Sequence, residues 1–576
     1  MSAILVVVGG LGMYWIAYQI YSRYIATRIY QLDPNYKTPA HEFEDGTDFV
    51  PTNKFVLWGH HFTSVAGAAP IVGPAIAVFW GWLPAVLWVV FGTIFFSGIH
   101  DFGTIWISTR HKGRSMGAIA ETQIGSRARS LFMVIIFLLL LMVNAVFAIV
   151  IARLFVAFPG SVLPIWFQIP VAMAIGVLLH RKGGKLLIPS LVALVILYFW
   201  VWLGAQFPFS LPETSFIGLP PQGTWVLLLF VYAGIASLLP VWLLLQPRDY
   251  VNSHQLFVAL GVLYLGVLIG NPQMAAPAIN PDTAGAPLLV PFLFITIACG
   301  AISGFHGLVS SGTTSKQLNK ETDARFVGYF GSIGEGILAL GAILATTAGL
   351  AATRGEWSGL YSGWGAASGG AVGFFVQGFA NLGANIGLPM NLALVLGSVT
   401  VISFAATTMD TGLRLQRYIL SEVGEIFNIP ILKKNVVATT LAAGSCLALA
   451  FGAQTAGAEV GSGGLIIWPL FGTTNQLLAA LSLVCITVYL RRLGRNILPA
   501  LLPMAFLLVV TVVAMTMSIF QWWGLTGQPA NLLLAIMGSL ILVSAIWMLI
   551  EAVIAIRAAG PGGGAMGTEA IPETTK

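Results

Sequence analysis

Long apolar runs alternate with short polar connections along almost the whole chain. A helix that crosses a bilayer needs about 20 mostly apolar residues, since each residue adds only about 1.5 Å of rise. Fifteen runs meet that need: 3–26, 55–80, 82–109, 130–158, 162–180, 186–206, 223–246, 254–272, 287–314, 325–352, 387–410, 435–456, 464–490, 497–521 and 531–557. They predict an all-α membrane protein with about 15 transmembrane helices in one polytopic domain, 1–557, followed by a flexible tail, 558–576. A further run, 366–383, is Gly-rich and half apolar, and reads as an interfacial or re-entrant piece. The polar stretch DPNYKTPAHEFEDGTDFVPTNK mixes acids, prolines and aromatics, as an ordered loop against the membrane face would.

Composition sharpens this picture by exclusion. Charged residues make up 8% of the chain, and mean hydropathy is +0.88. A soluble domain carries about 25% charged residues. Too few charges are present to cover a soluble surface, and the apolar content excludes a disordered chain. The formal charge of +6 needs no nucleic-acid partner, because cationic loops on a membrane protein produce it. Cys299, Cys446 and Cys485 lie in apolar runs without metal-site or disulfide spacing, and no metal is expected. The N-terminus has no basic leader before its apolar run, so it reads as a retained span. With the N-terminus outside and strict alternation, 25 of the 27 Lys and Arg fall on the cytoplasmic face, Arg153 and Arg354 being the exceptions. The C-terminus is then cytoplasmic.

Gly and Pro inside a span mark where a helix unwinds and frees backbone groups toward a cavity. The second run, WGHHFTSVAGAAPIVGPA, carries Gly67, Ala68, Pro70, Gly73 and Pro74. It predicts either a discontinuous helix lining a solute site or a kinked helix with close glycine packing. A milder break is expected at Tyr232–Pro240, five spans later. That spacing suggests two five-helix halves, 55–206 and 223–410, the second inverted relative to the first. The ninth run, CGAISGFHGLVSSGTTSKQ, offers Ser310 and Ser311 as hydroxyl ligands or as plain helix–helix glue. In WPLFGTTNQLLAAL, Asn475 and Gln476 read as an inter-helix hydrogen-bond patch or a wall of the site.

Ionisable groups inside a bilayer are costly and usually face a partner or a cavity. His61, Asp101, His306, Glu335 and Asp410 all fall in the cytoplasmic halves of their runs, so they could share one proton-handling layer. Each also has a structural reading; for Asp410 it is an ion pair with Arg414 one turn later. No nucleophile elbow, phosphate loop or HExxH motif is present, so neither an enzyme nor a bound cofactor is expected. No nucleotide domain is encoded, which leaves an ion gradient, H+ or Na+, as the energy source for any uphill transport.

The blocks PNYKTPAHEFEDGTDFVPTNK, LWGHHFTSVAGAAPIVGPA, SGFHGLVSSGTTSKQ, TTMDTGLRLQRYIL and WPLFGTTNQLLAAL resemble the carbon starvation protein A family over most of the chain, from residue 34 to about 480. His100-Asp101-Phe102 is similar to that family's Asp-Phe block. The resemblance implies an inner-membrane transporter related to the amino acid–polyamine–organocation superfamily, with a five-plus-five inverted-repeat core. It implies uptake of peptides or pyruvate, with proton coupling the usual proposal. A sodium-coupled symporter or a passive facilitator is the alternative.

Overall fold

The computed structural model describes residues 1–576 except 47, 183–186, 216–217, 427, 454–463, 528 and 559–576. Apart from Ala558, the tail expected at 558–576 lies outside the described residues. The helices are α1 (Ala3–Ile29), α2 (Lys54–Val65), α3 (Ala69–Trp80), α4 (Trp82–Arg110), α5 (Met116–Gln123), α6 (Ser126–Ala157), α7 (Val162–Lys182), α8 (Leu187–Gln206), α9 (Pro221–Leu238) and α10 (Leu245–Gly270). They continue with α11 (Leu289–Thr296), α12 (304–317), α13 (Glu321–Gly349), α14 (Trp364–Ala384), α15 (Met390–Ile426), α16 (Asn435–Gly452), α17 (Gly464–Arg492), α18 (Leu498–Trp522) and α19 (Leu532–Ala558). Among the described residues there are no β-strands, only the isolated bridges Ser2–Gln273 and Thr52–Leu318.

Thirteen helices are long and apolar enough to cross a membrane, and the pair α2–α3, bent by 50°, makes a fourteenth crossing. The run at 287–314 is built in pieces. Helix α11 ends at Thr296, residues 297–303 leave helical geometry, and α12 resumes at Gly304. The ends of this run still lie on opposite sides of the bundle. The Trp80 indole donates to Pro287 O at one end, and Arg110 pairs with Glu321 at the other. Fourteen of the fifteen expected runs are therefore candidate crossings, one of them bent, and the run at 287–314 extends from one end of the bundle to the other in pieces each too short to span a membrane alone.

Alternation of charge is visible as geometry. One end of the bundle gathers the arginines: Arg492 donates to the carbonyls of Thr122 and Gln123, Arg495 to Tyr30 O, and Arg129 pairs with Glu121 and Glu422. The opposite end gathers uncharged contacts, such as Trp357 Nε1 to Thr346 O and Asn385 Nδ2 to Gly266 O. The acid-rich loop folds against the charged end. Asp33 N donates to Glu321 Oε2 (2.6 Å), Thr52 N to Gln317 O (3.0 Å), and Arg110 stacks on the Tyr36 ring.

The piece at 366–383 lies within an unbroken 21-residue helix, α14. Trp364 at its start packs on Trp80, and Asn385 just past its end reaches Gly266 in the last turns of α10. Both termini sit at the uncharged end, so α14 is not a crossing. The break expected at Tyr232–Pro240 falls at the end of a helix rather than inside one. Helix α9 runs unbroken to Leu238, and Pro240, which has no N–H to continue it, follows in the turn before α10.

Candidate functional site

The two broken crossings meet at their breaks. Pro70 cannot continue α2, because its ring would clash with the carbonyl four residues back, so the chain leaves helical geometry at Ala66 and restarts at Ala69. A Cβ on Gly73 would lie 2.4 Å from Thr296 O, so only glycine lets α3 rest against the end of α11. Gly300 has φ +91, a left-handed conformation open to glycine, and abuts Pro70 and Ala339. Gly67 packs against Thr408 and Phe147.

Unwinding exposes backbone groups that a bilayer cannot hydrate, and side chains from neighbouring helices satisfy them. Asn475 Oδ1 accepts from Phe305 N (3.0 Å), and its Nδ2 donates to Ser303 Oγ (3.0 Å). The freed carbonyls accept from Gln476 Nε2 (Phe294 O, 2.5 Å), Trp468 Nε1 (Thr296 O, 3.4 Å), Trp88 Nε1 (Ile297 O, 3.2 Å) and Thr93 Oγ1 (Gly300 O, 3.0 Å). The polar block of α17 is thus a hydrogen-bond patch that holds the second break open.

Beside this junction lies a buried cluster of titratable groups from three helices. Asp101 on α4 accepts from His100 Nδ1 (2.7 Å), from His306 Nδ1 on α12 (2.8 Å) and from Ser332 Oγ on α13 (2.6 Å). The other face of His306 meets Glu335 Oε1 on α13, with Nε2 3.2 Å away. All five side chains are fully buried. His61 on α2 sits at the margin, its Nδ1 2.9 Å from Thr314 Oγ1 and its ring against Gly331. With both nitrogens facing carboxylates, a His306 imidazolium donates to both, whereas a neutral ring donates to one. One proton therefore changes how tightly α4, α12 and α13 are tied together.

Asp410 belongs to a different cluster. It pairs with Arg248 on α10 and accepts from the Tyr232 hydroxyl on α9 (2.9 Å). Arg414, the expected partner, instead donates to Ala236 O and Leu239 O at the end of α9. The reason is geometric: those carbonyls are the unsatisfied end of α9, and a guanidinium caps them well. Arg248 and Asp249 went unnoticed as candidates because the apolar run was expected to begin at 254; α10 begins nine residues earlier, at Leu245. Its Pro-Arg-Asp start, immediately before an apolar stretch, was the available signal.

A cavity with an empty volume of about 1380 Å³, counted to its open mouth, lies among α2, α5, α6, α10, α12 and α15. Its lining includes His60, Ser64, Asp249, Ser311 and Thr313, and at the charged end Asp48, Lys316 and Glu422. Ser311 also accepts from Met116 N, which anchors α5, while Ser310 is buried away from the lining. Gly67, Ala68, Pro70 and Gly73 form the junction of the breaks and are not part of this lining, which reaches Ser64 just before the first break.

Two interrupted membrane helices, a buried charge cluster beside them and a vestibule opening at one end define a membrane transporter. The chain belongs to the carbon starvation protein CstA family, whose model matches residues 2–356 and 358–514. The pyruvate/proton symporter BtsT of Escherichia coli (strain K12) is 33% identical over 90% of this chain and 82% of its own length. The peptide transporter CstA of the same organism is 33% identical over 89% of this chain and 80% of its own, and that of Campylobacter jejuni 32% identical over 89% and 79%.

Proposed function

We propose that the protein is a proton-coupled symporter that imports a small organic nutrient, a peptide or a 2-oxo acid such as pyruvate, across the inner membrane by alternating access. The carrying observation is the fully buried Asp101–His306–Glu335 chain, which spans three helices beside both breaks. An intramembrane ionisable group is retained at a cost that function offsets. Proton arrival at His306 changes the bonds among α4, α12 and α13, which gives protonation a lever on the helices that flank the broken crossings. The resemblance to a pyruvate/proton symporter supports the same coupling. The vestibule opens at the arginine-rich end, which the positive-inside rule assigns to the cytoplasm; this conformer is then inward-facing, with the N-terminus outside.

The core reads best as halves 54–270 and 289–492, a redrawing of the halves first expected. Each begins with a broken crossing, α2–α3 or α11–α12, followed closely by a continuous one, α4 or α13. Helix α2 packs on α10 as α12 packs on α17, and α6 packs on α15 across the two halves. In this reading α7 and α8 are an inserted hairpin, and five crossings per half invert the second half.

The test is uptake by proteoliposomes under an imposed pH gradient, with a sodium gradient as the parallel arm. Accumulation driven by the pH gradient and abolished by a protonophore is expected. Accumulation driven by sodium alone would transfer the coupling to that ion, and indifference to both would reject symport.

A further inference from the structure

The vestibule contains a charge that the proton-handling cluster does not use. Asp249 is 1% exposed, yet both of its carboxylate oxygens lack a hydrogen-bond donor among the described residues. The nearest basic groups are His60, with Nδ1 at 3.5 Å, and Arg248, with Nη2 at 3.8 Å. Arg248 is committed elsewhere, to Asp410 and to the Tyr232 hydroxyl (2.6 Å), so its charge is already matched by one carboxylate. Within this trio two carboxylates share one guanidinium, and the other cations that line the cavity, Arg414 and Lys316, make no ion pair with Asp249 among the described residues. His60 Nδ1 is likewise without a hydrogen-bond partner. Asp249, His60, Gln246 and Ser64 all line the same cavity.

A buried carboxylate with no matched donor is expensive. A ligand that brings a cation into the vestibule removes that cost, and a primary ammonium, with three N–H donors, matches the free acceptors: two oxygens of Asp249 and, in its Nε2–H tautomer, the Nδ1 of His60. A solute that carries only a carboxylate meets repulsion at the same point. We infer that Asp249, assisted by His60, is the ammonium-binding subsite of the vestibule and sets the preference for solutes with a free amino group over simple 2-oxo acids. The subsite rests on the symporter reading and deepens it, because it fixes which end of the solute is held at α10.

The test is ligand binding to the purified full-length protein, followed by intrinsic tryptophan fluorescence or calorimetry, with three probes: alanyl-alanine, its desamino analogue propionyl-alanine, and pyruvate. Wild type should bind alanyl-alanine at least about tenfold more tightly than propionyl-alanine, the scale of a lost charged hydrogen bond. Asp249→Asn should collapse that ratio to near one, and Asp249→Glu should preserve most of it. Equal affinity of the wild type for the two probes overturns the subsite, even if Asp249→Asn fails to fold. An undiminished ratio in Asp249→Asn, or no binding by any probe, overturns it as well. Uptake in proteoliposomes scores the symporter reading separately: pH-driven pyruvate accumulation without amino discrimination leaves symport standing and removes the role of Asp249.

Discussion

Asp101→Asn is the sharpest perturbation of the buried Asp101–His306–Glu335 cluster proposed to handle the proton. The substitution keeps the side-chain shape and removes the charge. In the wild type Asp101 accepts four hydrogen bonds, from His100, His306 and Ser332 at 2.7, 2.8 and 2.6 Å and a longer one from Ser97 at 3.4 Å. The two short ones on Oδ2, from His306 and Ser332, can be kept by an amide oxygen, but as neutral rather than charge-assisted bonds. A bond to a charged group is worth about 1.5–3 kcal/mol against about 0.5–1.5 for a neutral pair, so two such bonds weaken by roughly 2–3 kcal/mol together. The amide nitrogen then faces His100 Nδ1 and forces it to become an acceptor, which raises the total to about 2–4 kcal/mol. At about 1.4 kcal/mol per tenfold, this corresponds to a loss of about 30- to 700-fold. The assay is initial uptake into proteoliposomes under a fixed pH gradient with the membrane potential clamped. The protein amount is matched by gel filtration. Substrate exchange without a gradient should survive in the variant, because the vestibule proposed to bind the solute is lined by other residues. Wild-type accumulation by Asp101→Asn would falsify the assignment.

Other outcomes follow from the packing. Arg248→Ala should destabilise the protein by about 3–5 kcal/mol, the cost of stranding a buried partner, and adding Asp410→Ala should recover part of that loss; a double-mutant cycle on thermal unfolding in detergent reads the coupling. Gly73→Ala drives a Cβ to 2.4 Å from Thr296 O, and because the clash is with backbone, the two breaks must part; a loss of about 1–3 kcal/mol and a lower melting temperature are expected, whereas Gly9→Ala, with open space around it, should be silent. Asn475→Ala leaves Phe305 N and Ser303 without their partner and should cost about 1–3 kcal/mol in the same melt. An unchanged melting temperature in any of the three would show that the corresponding contact contributes nothing to stability.

The limits of the amino-acid pattern are physical. Spans are legible because a bilayer offers no hydrogen bonds, so a crossing segment must satisfy its own backbone and be apolar for about 20 residues; the segments at 82–109, 130–158 and 497–521 reappear as α4, α6 and α18 within a few residues. The first break is more local, since Pro70 removes a backbone donor and crowds the carbonyl of Ala66, although Pro74, Pro170, Pro469 and Pro503 lie inside continuous helices, so the proline alone does not fix a break. The second break carries no proline between 297 and 303 and depends on Asn475, Gln476, Trp468, Trp88 and Thr93 from distant parts of the chain. Its polar hydroxyls were visible, but the helix that satisfies it was not.

Charged groups divide in the same way. Their scarcity and their depth within each run are one-dimensional properties, and they single out His61, Asp101, His306, Glu335 and Asp410 as candidates. Partnership is three-dimensional. Asp410 has an arginine four residues along its own helix, yet it pairs with Arg248 from another, because the free carbonyls of α9 claim Arg414 first. Asp249 looked like a loop residue until α10 was found to start at Leu245, which turns it into the vestibule. Hydropathy is a property of each segment alone, so the chain by itself determined which segments are apolar enough to cross a membrane and which charges they carry. Which helix faces which depends on shape-matched glycines and on backbone groups that must find donors across the bundle, and only the tertiary structure decided that.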